Sequence, residues 1–212
     1  MSDIQIQVVP VTPFQQNCSI IWSQATRHGV VVDPGGDVAA IREAIAKIGI
    51  TVDYILLTHG HIDHAGGAAE LADALGVEVV GPHADDKPLL DRLEVQARQW
   101  GLDGTRNVTP NRFLKEGDEI EIAGVTFQAL HCPGHSPGSV VLFSPDLRFA
   151  FMGDVLFQGS VGRTDLPGGS HEQLIHAIRT KVLPLGDDVS FLPGHGPGST
   201  IGQEKVSNPF IR

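Results

Sequence analysis

Residues 57–67 read LTHGHIDHAGG, a stretch that places three histidines and one aspartate within six consecutive positions. It follows an apolar run at residues 54–57 that is typical of a buried strand. A protein core has no use for such a cluster, because every imidazole or carboxylate removed from water needs its own hydrogen-bonding partner. One metal ion can satisfy several of these groups at once. The stretch therefore predicts a metal site at the end of a strand.

The spacing inside this stretch indicates two pairs of ligands. Side chains two residues apart in an extended segment point the same way, so His59 and His61 can converge on one ion. Asp63 and His64 are adjacent and start a new direction, where the following Ala-Gly-Gly lets the backbone turn. This spacing differs from that of the H-E-x-x-H motif, whose histidines lie on one face of a helix. We therefore expect two ligand pairs aimed at neighbouring points.

Three later loops each carry one further candidate ligand beside a glycine. His135 lies in HCPGHSPGS (131–139), Asp154 in FMGDVLF (151–157) and His195 in FLPGHGPGS (191–199). Glycine allows the backbone to approach a bound group closely. Judged by its local sequence alone, each of the three is as readily a structural residue as a ligand. With the first stretch they make seven groups, five histidines and two aspartates, which suit two metals that share a carboxylate.

Length, composition and charge limit the class of protein. The chain has 212 residues, of which 41% are hydrophobic, so it can bury a core as one domain spanning residues 1–212. The formal net charge of −10 disfavours nucleic acid and anionic membranes as partners, because both attract basic surfaces. The N-terminal MSDIQIQVVPV lacks the basic and apolar regions of a signal peptide. The chain also has only two cysteines, so it does not depend on a framework of disulfides. We therefore expect it to be cytoplasmic.

Strand-like and helical runs alternate along the whole chain. Two hairpins are predicted, one turning at Ala123-Gly124 and one at residues 144–146. Helical spacing predicts a helix after an N-cap at Asp37 and a longer helical stretch from about residue 85 to residue 100. Mixed strands and helices around a sheet-rich core indicate an α/β or α+β layered fold.

The motifs THGHIDHAGG, PGHSPGS, GD after an apolar strand, and PGHG occur in the order and rough spacing of the metallo-β-lactamase superfamily. The chain resembles this superfamily over nearly its whole length. The resemblance implies an α/β fold built as a four-layered αββα sandwich, with metal ions at one edge of the paired sheets. It also implies one ligand set for two metals: His59, His61 and His135 for the first, Asp63, His64 and His195 for the second, and Asp154 as the bridge.

Within the superfamily the chain is similar to the glyoxalase II group, the hydroxyacylglutathione hydrolases. The supporting stretches are GSVGRTDLPGG (159–169) and FLPGHGPGSTIGQEKVSNPF (191–210). Full-length members carry a C-terminal helical domain that helps to hold glutathione, so the chain is expected to be a short form without it. The resemblance implies hydrolysis of S-D-lactoylglutathione to glutathione and D-lactate, a step of methylglyoxal detoxification. Two divalent metals are expected, zinc first, with iron or manganese also suited to these ligands.

Arg163 is the candidate for substrate binding. It falls where full-length glyoxalase II has a lysine that contacts glutathione. A guanidinium can hold a carboxylate through two hydrogen bonds, so the resemblance implies that Arg163 binds the substrate. The other interpretation is a salt bridge from Arg163 to Asp165 or another loop carboxylate.

The expected mechanism uses water activated by the metals. Two bound metals would lower the pKa of water to about 7 and supply a bridging hydroxide at neutral pH. Oriented by Asp63, this hydroxide would attack the thioester carbonyl, and a thiolate from a thiol of pKa about 8.5 would leave without a strong acid. A glutathione persulfide dioxygenase with one iron is the alternative, because the superfamily builds that activity on a similar signature and a GRTD-like loop. The sequence leaves the oligomeric state open.

Overall fold

Two six-stranded sheets form the centre of the molecule. The computed structural model describes residues 3–211 except 101 and 103. The first sheet contains, in spatial order, β1 (Ile4–Val11), β2 (Gln16–Ser23), β3 (His28–Val32), β4 (Thr51–Leu56), β5 (Glu78–His83) and β6 (Arg112–Leu114). The later strands are β7 (Glu119–Ile122), β8 (Val125–His131), β9 (Val140–Ser144), β10 (Phe149–Gly153), β11 (Leu156–Phe157), β12 (Ser160–Val161), β13 (Ser190–Pro193) and β14 (Ser199–Thr200). The second sheet has the order β14-β13-β10-β9-β8-β7, and β11 and β12 form a separate ribbon.

Seven α-helices are found in the described residues. They are α1 (Val38–Ile48), α2 (Ile62–Ala65), α3 (Ala68–Leu75), α4 (Lys87–Leu90), α5 (Leu93–Trp100), α6 (His171–Ala177) and α7 (Ile201–Ser207). Short helical turns are 3₁₀ at Ala84–Asp86, π at Ile178–Val182 and 3₁₀ at Leu183–Leu185. Over the same described residues, none of the helices is long and apolar enough to cross a membrane.

Apolar side chains hold four layers together. Between the sheets, Leu56 of β4 lies in the same core as Phe127 of β8 and Phe151 of β10. Residues of α1, α3 and α5 pack on the outer face of the first sheet, and residues of α6 and α7 pack on that of the second. Each large apolar side chain buried in this way contributes roughly 1.5–3 kcal/mol. The expected four-layered αββα sandwich is confirmed, because helices cover both outer faces of the paired sheets.

Strand direction brings the candidate ligands to one edge of this sandwich. In the second sheet β10 runs parallel to β13, and β8 runs the same way because β8 and β10 are both antiparallel to β9. His135, Asp154 and His195 all follow the carboxyl ends of these three strands. The carbonyl oxygen of Thr58, after β4 of the first sheet, accepts a hydrogen bond from Val140 N at 2.8 Å. The two sheets therefore meet where all the ligand-bearing loops emerge.

Both predicted hairpins form, and the predicted helices lie where the sequence places them, with two local details that the sequence did not indicate. Ala123 and Gly124 adopt positive φ angles of 54° and 81°, as the tight turn between β7 and β8 requires. The helical stretch expected over about residues 85–100 is confirmed, although it consists of the 3₁₀ turn Ala84–Asp86, α4 and α5. Pro88, which lacks an N–H, stands in the first turn of α4, where a proline is favoured. Asp37 is the N-cap residue of α1, as predicted, but its carboxylate accepts from Thr12 N at 2.6 Å and makes no capping hydrogen bond to the helix.

The two cysteines are expected to be unreactive in the folded protein. Cys18 and Cys132 are free and fully buried. Burial raises the pKa of Cys18 well above its ordinary value and that of Cys132 to about 12. Because only the thiolate attacks disulfide reagents, we expect neither thiol to be titrated at pH 8 in the native protein and both to be titrated in guanidinium chloride. Rapid labelling of either thiol without denaturant would contradict this burial.

Candidate metal centre

Three imidazoles converge to form the first set of candidate ligands, His59, His61 and His135. His135 Nε2 lies 2.9 Å from His61 Nδ1 and 3.2 Å from His59 Nε2. All three side chains are buried, although they come from two different sheets. Three ring nitrogens placed this close are directed at a common point. Tetrahedral zinc with Zn–N bonds of about 2.0–2.1 Å places its nitrogens about 3.3 Å apart, which is close to the observed spacing.

The second set consists of Asp63, His64 and His195. Asp63 Oδ2 lies 3.1 Å from His195 Nε2 and 3.8 Å from His64 Nε2. The short helix α2 carries both Asp63 and His64, whereas His195 comes from the loop after β13. Asp63 and His195 are partly exposed, so this side of the cluster faces the outside of the protein.

Asp154 connects the two sets. Its Oδ2 lies 3.5 Å from His135 Nε2 and 3.6 Å from His195 Nε2, and its Oδ1 lies 3.4 Å from His64 Nε2. Asp154 Oδ1 and His64 Nε2 are buried and make no hydrogen bond of good geometry to any described residue. A buried polar group without a hydrogen bond lowers the free energy of unfolding by about 1–3 kcal/mol. Cations ligated by these atoms would remove that cost, so the donor set fits a pair of divalent metals.

Four of the histidines are oriented by a hydrogen bond from Nδ1, the ring nitrogen that faces away from the cluster. In each case Nδ1 lies within hydrogen-bond distance of an oxygen, which fixes the orientation of the ring and leaves Nε2 directed into the cluster. The pairs are His59 with Thr58 Oγ1 at 3.1 Å, His64 with Asp33 Oδ2 at 2.8 Å, His135 with Arg163 O at 2.9 Å, and His195 with Phe14 O at 3.2 Å. The imidazoles are therefore held in ligand geometry by the protein itself.

Burial and charge set the protonation of the cluster. Burial, together with the neighbouring imidazoles, lowers the pKa of His59 well below its ordinary value and that of His61 to about 4. Burial also acts to lower the pKa of His64, but the surrounding carboxylates outweigh it and raise this pKa well above the ordinary value. Burial acts to raise the pKa of Asp63 and Asp154, yet the histidines hold both below the usual range. Both carboxylates are therefore ionised at neutral pH, the form that binds cations.

Asp33 is a supporting residue that the sequence analysis missed. Its Oδ1 accepts from Thr58 N at 2.7 Å, and its Oδ2 accepts from Thr58 Oγ1 at 2.6 Å and from His64 Nδ1. The nearby Gly35 has no room for a side chain, because a Cβ would lie 1.5 Å from Asp63 O. Asp33 ends an apolar strand, as the candidate ligands do, and this signal could have identified it.

Arg163 reaches the cluster through its backbone. Its carbonyl oxygen accepts the hydrogen bond from His135 Nδ1. Its exposed guanidinium donates to both carboxylate oxygens of Asp165, with Nε–Oδ1 and Nη2–Oδ2 distances of 2.8 and 2.7 Å. This is the salt bridge that the sequence left open as the second interpretation, and the substrate-binding role of Arg163 stays a prediction.

The αββα sandwich and the His/Asp cluster at its edge define a metallohydrolase. Residues 11–195 match the model of the metallo-beta-lactamase superfamily, and the chain belongs to this superfamily. The protein named hydroxyacylglutathione hydrolase GloC, from Haemophilus influenzae, is 45% identical over 209 residues that cover 98% of each chain. The B3 metallo-beta-lactamase BLEG-1 is 36% identical, with a TM-score of 0.89 over 98% of this chain and 99% of that one. TTHA1623 in a di-iron-bound form is 38% identical, with a TM-score of 0.86 over 96% and 99%.

Proposed function

We propose that the protein is a binuclear metallohydrolase that converts S-D-lactoylglutathione to glutathione and D-lactate. The first set, His59, His61 and His135, binds one metal and the second set, Asp63, His64 and His195, binds the other. The position of Asp154 carries the proposal, because its two oxygens lie 3.4–3.6 Å from nitrogens of both sets. The name of the Haemophilus influenzae relative supports a glutathione thioester as substrate. Imidazole and carboxylate donors support zinc, and they also suit iron, which TTHA1623 contains.

The residues around the cluster support hydrolysis. When bound, divalent metals lower the pKa of water to about 7 and polarise a carbonyl oxygen. Asp63 is partly exposed, and its depressed pKa makes it a weak base, so its role is to ligate and to orient the attacking water. The leaving thiolate derives from a thiol with a pKa of about 8.5, and its departure needs no strong general acid. The free thiols of Cys18 and Cys132 support a reducing, cytoplasmic setting for this step of methylglyoxal detoxification.

The role proposed for Arg163 leads to a test with a matched pair of variants. We expect Arg163→Ala to raise KM for S-D-lactoylglutathione roughly three- to tenfold with little change in kcat, because an exposed charge contact adds binding to substrate and transition state alike. Asp165→Ala removes the competing carboxylate and is expected to lower KM or leave it unchanged. Steady-state kinetics of both variants measures this. Equal KM values in Arg163→Ala and the unmodified protein would remove Arg163 from the substrate site.

Hydrolysis of β-lactams is the second candidate function. The observation that favours it is the 36% identity to the B3 metallo-beta-lactamase BLEG-1 over nearly the whole of both chains. An amide leaving group must be protonated as it departs, whereas a thiolate leaves unaided. The thioester is therefore the better match to a cluster in which Asp63 and Asp154 are both held ionised.

One preparation assayed in three ways separates the candidate reactions. Metal content is measured first, and the same sample is then tested with S-D-lactoylglutathione, with a chromogenic cephalosporin, and with glutathione persulfide in an oxygen electrode. We expect two metals per chain and turnover of the thioester that exceeds turnover of the cephalosporin. Faster cephalosporin turnover would favour the second candidate. One iron per chain with oxygen uptake would replace both hydrolase proposals with the dioxygenase alternative.

A further inference from the structure

Asp86 is a fully buried carboxylate that joins the two loops carrying the first set. It ends the 3₁₀ turn Ala84–Asp86 that follows β5. Its Oδ2 accepts hydrogen bonds from Gly60 N and from Ser136 Oγ, both at 2.7 Å, and its Oδ1 accepts one from Gly138 N at 2.5 Å. Gly60 lies between His59 and His61, whereas Ser136 directly follows His135.

We propose that Asp86 is a positioning residue that sets the spacing of His59, His61 and His135, an inference that rests on the metal site of the proposed function. These three histidines come from loops on different sheets, and His59 and His135 are 76 positions apart in the chain. Covalent structure alone therefore does not fix their separation. A carboxylate that accepts from both loops does, because charge-assisted hydrogen bonds are short and directional.

Gly138 and Gly60, one from each ligand loop, leave little room for a side chain beside Asp86. A Cβ on Gly138 would lie 2.6 Å from Asp86 N and 2.7 Å from Asp86 Cβ. A Cβ on Gly60 would lie 3.2 Å from Asp86 Cβ and from its carbonyl oxygen. The backbone thus approaches Asp86 at van der Waals contact on two sides. Any displacement of the carboxylate would be transmitted to the ligand loops, because close-packed interiors transmit strain.

Several further contacts hold the loop that carries His135. His83 N donates to Gly138 O at 3.1 Å, and Ser136 Oγ lies 2.7 Å from Ser139 Oγ. His131 Nε2 lies 2.8 Å from the carbonyl oxygen of Pro137, to which it donates in one tautomer. The loop is therefore anchored by contacts within itself, by contacts to neighbouring backbone and by the Asp86 carboxylate, which also reaches Gly60 between His59 and His61.

Asp86→Asn tests the proposal with little change of shape. An amide has one acceptor oxygen in place of two, so its NH₂ group must face at least one of the three donors. Contacts that orient metal ligands typically change metal affinity 10–100-fold. We therefore expect at least one of the two metal-binding steps to weaken about tenfold or more in zinc competition with a chromophoric chelator. We also expect the d–d absorption of cobalt(II)-substituted protein to change, since that spectrum reports ligand geometry.

Glu204→Gln is the matched control. Glu204 is also fully buried and accepts from Gly159 N at 2.7 Å, Asn208 Nδ2 at 2.9 Å and the hydroxyl of Ser199. None of these donors is adjacent to a candidate ligand. The control is expected to lower the thermal midpoint of the metal-free protein while the zinc affinity and the cobalt spectrum stay as in the unmodified protein.

The outcomes separate a positioning role from a structural one. If Asp86→Asn lowers the thermal midpoint as Glu204→Gln does but keeps the zinc affinity and cobalt spectrum, Asp86 is structural only and the proposal is wrong. If Asp86→Asn does not fold, Ser136→Ala removes one of the three donors, and an unchanged affinity and spectrum in that variant overturns the proposal. A protein that binds two metals but does not hydrolyse S-D-lactoylglutathione would refute the proposed reaction alone, because these readouts do not depend on turnover.

Discussion

Replacing Asp154 with alanine is expected to lower kcat/KM for thioester hydrolysis by about a thousandfold or more, since metal activation contributes several kcal/mol and each tenfold corresponds to about 1.4 kcal/mol. Asp154 is the residue whose carboxylate lies within 3.6 Å of His64, His135 and His195. Without it, the two sets lose the carboxylate whose two oxygens lie within 3.6 Å of nitrogens of both. The metal content per chain is expected to fall from two toward one.

The measurement combines metal analysis of the purified variant with steady-state kinetics. Asp73→Ala is the control, because Asp73 is an exposed aspartate paired with the exposed Arg106, and such pairs contribute about 0–1 kcal/mol. That control is expected to retain two metals and full activity. Near-normal activity in Asp154→Ala, with circular dichroism unchanged, would show that the reaction does not use a shared carboxylate.

Gly194→Ala is expected to be nearly as damaging, although it adds a single methyl group. A Cβ at this position would lie 2.2 Å from Asp154 Oδ1 and 2.4 Å from His64 Cε1. The φ of Gly194 lies outside the left-handed region, so the damage comes from intrusion into the cluster and not from backbone strain. We expect a hundredfold or greater loss of kcat/KM, about 2.7 kcal/mol or more, together with loss of bound metal.

Gly196→Ala, two residues further along the same loop, is the matched control. A Cβ there meets nothing within 4 Å, while the φ of 72° costs an L-residue about 1–2 kcal/mol. The control is therefore expected to lower thermal stability while keeping metal content and most of the activity. If both variants lose activity equally, the loop is generally fragile, and the close approach of Gly194 to the metal ligands is not the cause.

The sequence predicts the members of the cluster better than the contacts that support it. The spacing of His59 and His61 and the glycine-rich loops around His135 and His195 are local patterns, and the structure brings all of the predicted ligand residues together. Their number also predicts two metals, because one tetrahedral zinc ion binds four groups and not seven. Strand direction explains why loops so far apart in sequence meet at one edge.

The supporting residues were missed because their partners are distant in the chain. Asp33 contacts His64 across 31 positions, and Asp86 contacts Ser136 across 50. Asp33 reaches its partners because β3 pairs with β4 in the first sheet, whereas Asp86 reaches Ser136 only where the two sheets pack together. The part of Arg163 that touches the cluster is its carbonyl oxygen, which every residue type possesses, so no side-chain pattern could indicate it.

The sequence predicted a hairpin correctly where a short turn joins two strands, but it did not show where a helical segment is divided. The Ala123-Gly124 turn follows from the left-handed backbone that its residues adopt, and the β7–β8 hairpin formed as expected. The segment from residue 85 to 100 shows helical periodicity and is helical, but Pro88 lies in the first turn of α4, directly after the 3₁₀ turn that ends at Asp86, and a second break follows α4. Periodicity reports burial along one face and not the contacts of individual residues.

The most direct test of the account is steady-state hydrolysis of S-D-lactoylglutathione by protein whose metal content has been measured. We predict two divalent metals per chain and a kcat/KM above about 10⁴ M⁻¹s⁻¹, the low end of typical enzymes. Removal of the metals with a chelator should abolish this activity, and returning zinc should restore it. Protein that holds two metals but shows no turnover of this thioester would contradict the central claim.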